Sequence, residues 1–312
     1  KSRITQMLNK ILIRCFLVLC AVSTQINAKS IALSFDDGLD PSLDPDAQQI
    51  NQQILKTLKH YKIKAILYPS LSKIGGNQGL ALVAEWGQHG HRIANHGNLH
   101  LNLNKNHVSL DAYLHDIQQG HDAFSTLDGF VARYRFPFLK EGNTLQKRDG
   151  VRGWIKAHRY QSGAVSIDAS DWYYNQLFVK FHRNNDSQSL EKLKQAYIFH
   201  LLDRAKYYDG LALDTLGRSP KHVLLLHVRA INAAWLKDVI EAFQHEGWQF
   251  IDSDSAYQDP LYKIEPQALP AGESILWNIA KIYAVPNLRY PAEDAASEYA
   301  QLKNMGLDIQ LP

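Results

Sequence analysis

The sequence predicts an α/β fold built on a parallel sheet, and three observations carry that prediction. Short β-branched and apolar runs alternate with longer amphipathic segments, polar residues gather at the C-terminal ends of the runs, and 45% of the 312 residues are hydrophobic, enough for a large core. Strand signals fall at 30–35, 65–68, 92–95, 133–136, 164–167, 223–226 and 249–251. Helix signals fall at 46–61, 109–127, 190–208 and 233–245, where apolar residues recur every three or four positions. Seven strand signals with helices between them point to a barrel, although an open doubly wound sheet predicts the same alternation.

Residues 1–28 stand outside that pattern. Lys1, Arg3, Lys10 and Arg14 form a basic segment without a single acid, an apolar run follows at 15–22, and a polar stretch closes on Ala28. Basic flank, short apolar run and small-residue ending read as an export signal, so the chain is expected to be exported, periplasmic or secreted, with its fold starting near Lys29. Cys15 and Cys20 are the only cysteines and both lie in this leader, which leaves the mature chain without a disulfide. The formal net charge of +3 belongs to the leader as well, and the remainder is near neutral with its Lys and Arg dispersed among acids. Nucleic-acid binding is therefore unsupported. No tract of 18 apolar residues is present, which excludes an integral membrane segment in the mature chain. No glycine-rich phosphate cradle follows a strand, and no Gly-x-Ser-x-Gly elbow occurs.

Two stretches depart from the alternation. Residues 175–219 form a long, mostly helical insertion between two strand signals, and a proline-punctuated extension over 260–312 contains one helical piece near 273–283. The expected organisation is a leader at 1–28, a catalytic barrel at 29–259 that carries the insertion, and a C-terminal extension at 260–312 packed on the barrel.

Asp36 and Asp37, His96, Arg135, Asp168 and Asp171, and His227 each fall at or just beyond the end of a strand signal. In a parallel α/β fold those ends share the face on which active sites are assembled. His96 and His100 are spaced i, i+4, which on one helical turn aims both imidazoles at a common point, and Asp37 supplies a carboxylate. Two imidazoles and one carboxylate leave coordination positions open, the mark of a catalytic rather than a structural metal. Asp36 diverges from Asp37 and is placed to receive a proton, and Arg135 could orient it through a bidentate contact. Asp171 offers His227 a partner that fixes its tautomer and raises its pKa, as a general acid requires, and Trp172 adds an apolar wall.

Five short motifs resemble those of the polysaccharide deacetylases, the NodB-like carbohydrate esterases of family four. They are Ser-Phe-Asp-Asp-Gly at 34–38, His-Gly-Asn-Leu-His at 96–100, Arg-Phe-Pro-Phe at 135–138, Asp-Ala-Ser-Asp-Trp at 168–172 and Val-Leu-Leu-Leu-His at 223–227. The resemblance runs in order over 31–251 and implies a distorted (β/α)7 barrel of the NodB-homology type. It implies that Asp37, His96 and His100 bind one divalent metal ion, usually zinc, and that Asp36 is the base that activates its water. His227 would be the acid, Arg135 and Asp171 would orient Asp36 and His227, and the Phe138 backbone N–H would stabilise the oxyanion. Trp172 and Leu225, or Leu226, would shape the acetyl pocket. The implied substrate is an acetylated glycan, of the N-acetylglucosamine or peptidoglycan type, with O-acetyl esters also open.

This sequence departs from the family pattern in three places, one of which, Phe138 where Tyr is frequent, is harmless if only the backbone N–H is used. Gly97 stands where Ser or Thr is usual, which predicts a looser metal site. The 55 residues between Asp171 and His227 exceed the usual spacing and predict an altered groove. Two other readings remain: a same-fold hydrolase of a small non-sugar amide or ester, with the insertion as a lid, and a non-catalytic glycan-binding protein.

Overall fold

The computed structural model describes residues 29–292, 295–307 and 309. The leader predicted at 1–28 lies outside them. In chain order the elements are β1 (Ser30–Asp37), α1 (Ala47–His60), β2 (Ile66–Pro69), α2 (Leu71–Ile74), α3 (Asn77–Gln88), β3 (Arg92–Asn95), α4 (Leu110–Phe124), β4 (Phe130–Tyr134), β5 (Lys140–Gly142) and α5 (Leu145–Ala157). They continue through β6 (Gln161–Ser162), α6 (Asp171–Arg183), α7 (Ser187–Leu216), β7 (Lys221–His227), α8 (Ala230–His245), β8 (Gln249–Phe250), α9 (Ser253–Tyr257), β9 (Ala271–Gly272), α10 (Ile275–Ile282) and α11 (Ala295–Asn304).

Seven strands form one all-parallel sheet in the order β6-β4-β3-β2-β1-β7, with β8 paired to the start of β1. β1 lies between β2 and β7 and is covered on both faces: every residue from Ile31 to Asp37 is buried. The sheet curls, and one short segment closes it. Gln161 and Ser162 pair with β4, while Ile167, five residues on, forms an isolated parallel bridge to Leu224 of β7. The strand expected at 164–167 is thus reduced to that bridge. A chain that must span from one edge of the ring to the other cannot keep regular pairing with both, and this is the distortion of the (β/α) barrel.

Helices clad the outside. In α1 the buried Ile50, Ile54, Leu55 and Leu58 recur at helical spacing and face the sheet and α8. The sequence patterning did not show α3 and α5, whose apolar stripes are broken by glycines and, in α5, by the buried Arg148, whereas α6 begins four residues ahead of the helical insertion expected at 175–219. The insertion is two helices, α6 and the 30-residue α7, which ends at Gly217 in the left-handed conformation that glycine adopts without penalty. α7 packs on α6, α8 and α10. The C-terminal extension is stitched to the barrel where β9 pairs antiparallel with β5, with Gly142 opposite Ala271. Among the described residues, no helix is long and apolar enough to cross a membrane.

Candidate active site

The C-terminal ends of the strands surround a cavity of about 500 Å³ whose wall includes Asp36, Asp37, His96, His100, Phe138, Asp168, Trp172, Leu225, His227 and Arg229. Register explains much of the convergence. Asp36 is directly opposite His227 on β7 and opposite Tyr68 on β2.

Asp37, His96 and His100 bring one ligand atom each to within 4.8 Å of one another. The helical turn expected for the two histidines is absent: residues 96–100 are a loop after β3, and the imidazoles meet because Gly97 and His100 both take positive φ, at 79° and 54°. The Gly97 position demands glycine, because a Cβ there would lie 2.2 Å from Asp116 Oδ2. That carboxylate accepts from the Asn98 and Leu99 backbone N–H groups at 3.0 and 2.6 Å, while Gly97 N–H donates to Asn95 Oδ1 at 2.8 Å. Asp116, on α4, therefore pins the loop that a Ser or Thr hydroxyl was expected to hold, and the predicted loosening has a built-in counterweight. Sequence spacing gave no sign of Asp116, which lies far along the chain in an ordinary helix.

The metal cradle passes the test that its side chains set. Asp37 Oδ1 is buried with no hydrogen-bond partner, 3.3 Å from His100 Nε2. His96 uses Nδ1 on the Arg135 carbonyl at 2.8 Å, which leaves Nε2 with a free lone pair. Burial, and then the neighbouring His100, keep His96 well below the usual imidazole pKa, hence neutral as a ligand must be. Burial pushes the Asp37 carboxyl up, but His100, His227 and Arg229 outweigh it and hold the group well below the usual carboxylate range. An orphaned, buried carboxylate oxygen, the buried neutral imidazole of His96 and the partly exposed imidazole of His100 fit a divalent transition metal.

Arg229 was not expected. Its Nη2 donates to Asp37 Oδ2 at 2.6 Å, so the carboxylate is clamped on one oxygen and open on the other. The only sequence hint was a cation two positions past the end of β7.

Asp36 is 2% exposed and accepts from Arg135 Nη1 at 2.6 Å. The contact is through one nitrogen rather than bidentate, because Nε is spent on the Gly163 carbonyl at 2.8 Å and Nη2 on the Tyr257 hydroxyl at 3.0 Å. Burial raises the Asp36 pKa, Arg135 and His227 lower it, and the net direction is upward, so burial more than offsets the guanidinium.

Across the cavity His227 Nδ1 lies 2.6 Å from Asp171 Oδ1, and Asp171 Oδ2 accepts from the His227 backbone N–H at 2.7 Å and from Asn232 Nδ2 at 2.9 Å. Burial lowers the His227 pKa, but Asp171, by charge and hydrogen bond, with Asp37 and Asp36, raises it to about 9. The Phe138 backbone sits at φ 56°, and its N–H has no hydrogen-bond partner among the described residues. Leu225 lines the cavity whereas Leu226, fully buried, does not. Trp172 also lines it, with Nε1 donating to the Ala292 carbonyl at 3.1 Å. Ala292 is itself part of the wall, so the extension contributes to the site.

Asp168 faces the same cavity with Oδ2 buried and unpartnered, and burial raises its pKa to about 6 against the pull of Arg204.

Comparison with known proteins is consistent with this geometry. Residues 24–152 match the family model described as polysaccharide deacetylase. No curated protein matches the chain by sequence. Among solved structures, the chain is similar to BA3943 from Bacillus anthracis, described as a family-four carbohydrate esterase pseudoenzyme, with 14% identity, a TM-score of 0.51, and coverage of 74% of this chain and 66% of that one. A BA3943 mutant described as having restored enzymatic activity gives 17% identity, a TM-score of 0.51, and coverage of 74% and 68%. The peptidoglycan deacetylase PdaC from Bacillus subtilis gives 20% identity, a TM-score of 0.48, and coverage of 74% and 91%. At these identities the likeness is one of fold.

Proposed function

We propose that the protein, whose residues 24–152 match the polysaccharide deacetylase family model, is a metal-dependent hydrolase that removes acetyl groups from a glycan of the N-acetylglucosamine type. The observation that carries this reading is the buried, partnerless Asp37 Oδ1 between two imidazoles, with a carboxylate of raised pKa on one side and an Asp-His pair across the cavity.

Asp37, His96 and His100 would hold the ion, zinc by the chemistry of its donors. A bound ion supplies Lewis-acid activation of water and of the acetyl carbonyl. Asp36 takes the proton of the attacking water, and its raised pKa makes it a better base than an ordinary carboxylate. Arg135 fixes which Asp36 oxygen is free. The Phe138 N–H, held by its positive φ, donates to the oxyanion as the carbonyl becomes tetrahedral. His227 then gives its proton to the departing sugar nitrogen, and Asp171 keeps the imidazole in the tautomer that can do so. Trp172 and Leu225 wall the acetyl methyl. The basic leader at 1–28 supports export, where such a glycan would be met.

Acetate release from N-acetylglucosamine oligomers of increasing length tests this. Chelator should abolish it and zinc should restore it. Release that ignores chelator, or none on any oligomer while a small N-acetylated amide is cleaved, overturns the assignment.

A further inference from the structure

Buried polar atoms left without a protein partner mark the metal cradle, and the same signature occurs a second time, away from it. A cavity of about 420 Å³ opens at the seam between the barrel and the C-terminal extension. Glu141 of β5, Arg152 of α5, Glu273 just after β9 and Asn278 of α10 are in its wall. Three of them each present a buried atom with no hydrogen-bond partner: Arg152 Nη1, Glu273 Oε2 and Asn278 Oδ1. Asn278 is 3% exposed, and its own N–H is spent on the Gly272 carbonyl at 2.6 Å, so its open oxygen is held in place. Leaving such atoms dry costs about 1–3 kcal/mol apiece, and the three belong to residues from separate elements that line one cavity.

We propose that this cavity binds a neutral pyranose unit of a glycan. At the three open atoms the charges are already paired, which favours a neutral group there over an ionic one. Arg152 is already paired with Glu141 at 2.9 Å and Glu273 with Lys140, so neither charge is free to hold a counter-ion. What remains unsatisfied is one donor and two acceptors on planar side chains. Sugar hydroxyls fill such a set, donating to the carboxylate and the amide oxygen while accepting from the guanidinium. Ile155 and Tyr262, also in the wall, offer apolar surface to a ring face, and the volume lies within the range of small-molecule sites. β5 joins the two cavities, since Leu139 just before it lines the catalytic one and Glu141 within it lines this one. The identity of the sugar as part of the substrate glycan rests on the proposed deacetylase reading; the binding itself does not.

The test is calorimetric titration of the whole protein with the β-1,4-linked N-acetylglucosamine tetramer, for wild type, Asn278→Leu and Arg152→Gln, each checked for native circular dichroism. Wild type should bind at two sites and each variant at one. In parallel, KM for the hexamer should rise about tenfold in the variants while turnover of the dimer is retained. Loss of one site without a change in hexamer KM still supports a sugar site, but one that a separate saccharide fills. Equal stoichiometry in all three proteins, or a soaked crystal in which only water occupies the cavity, overturns the proposal. Absence of acetate release from every oligomer, with the two-site titration intact, removes the deacetylase reading and leaves this site standing.

Discussion

On the metal side of the cleft, the groups that aim the functional residues come from the barrel strands and the helices and loops that follow them. His96 is aimed by the Arg135 carbonyl, Arg135 by Ser34, the Gly163 carbonyl and Tyr257, and the His100 loop by Asp116. On the acid side the support comes largely from elsewhere. Ser170, next to Asp171, takes its backbone contact from His200 of the insertion at 3.0 Å, and its hydroxyl lies 2.7 Å from both the Ala292 carbonyl and the Glu298 carboxyl of the extension. Arg204 of the insertion holds the Asp168 and Tyr290 carbonyls, both at 3.0 Å. The difference teaches that the barrel alone suffices to build the proposed metal cradle, whereas the half of the site proposed to donate the proton is braced by the parts of the chain that are added to the barrel.

Removing a metal ligand is the largest way to divide the two halves. Asp37→Ala should lose both bound metal and acetate release, the latter by at least about a thousandfold, since it takes away the several kcal/mol that such an ion contributes. Elemental analysis and an acetate assay on the same preparation check it. Full metal content in the variant would break the division.

Asp171→Asn strikes the other half and should leave metal content untouched while lowering turnover about a hundredfold to a thousandfold, the range for a misdirected general acid. The pH profile carries the sign. His227 must be protonated to donate, and with its pKa at about 9 the rate of the wild type should fall only as pH rises through that value. Without the Asp171 charge, burial dominates and the alkaline limb moves to lower pH.

At the opposite end of the strands, His91 makes the barrel itself sensitive to acid. Its Nδ1 accepts the Ala65 N–H at 3.1 Å, which requires a neutral ring, and burial, then Lys64 and His89, lower its pKa to about 4. The unfolded chain protonates this group near its ordinary value, so the stabilisation is complete above about pH 6.5 and is lost as pH falls towards 4, by up to about 3 kcal/mol. Urea midpoints between pH 7 and 4 should fall less steeply in His91→Gln, by about one proton's worth of slope. An equal slope in both proteins would show that other groups govern the acid sensitivity of the barrel.

The two halves also differ in how far the sequence reveals them. β1, β2, β3 and β7 and the four helices with strong apolar periodicity were legible because burial on both faces of a strand, or on one stripe of a helix, writes itself directly into residue order. Asp36, Asp37, His96, His100, Arg135, Asp171, Trp172, Leu225 and His227 line the cavity or reach the groups that do, because strand ends carry them to one rim. What was illegible depends on contacts between distant segments. The closing bridge at Ile167 answers to ring geometry and not to local propensity. Asp116 acts through a loop it does not adjoin, Arg229 through a carboxylate on the neighbouring strand, and Ala292 through a tail whose prolines mark only where it turns. An i, i+4 histidine pair suggested a helical turn, yet two residues of positive φ bring the rings together just as well.

Glu298 offers the finest test of the division. It is fully buried on α11, about 130 residues from the motif it supports, and its carboxyl touches the hydroxyls of Ser170 and Tyr290 at 2.7 and 2.9 Å. Burial raises its pKa against the pull of Ser170 and Tyr290, which suits a neutral, hydrogen-bonding group better than an ion. Glu298→Ala should therefore leave Ser170 with the Ala292 carbonyl as its remaining partner, take from the Tyr290 hydroxyl its 2.9 Å acceptor, loosen the turn that carries Asp171, and lower turnover about tenfold, in keeping with about 1–2 kcal/mol for a buried hydrogen bond left half-made. Metal content should stay at the wild-type value, and Glu298→Gln, which keeps an accepting oxygen and no charge, should recover most of the loss. A variant that sheds its metal along with its activity would mean that the extension supports both halves of the site. One that turns over at the wild-type rate would mean that the acid half stands on the barrel after all.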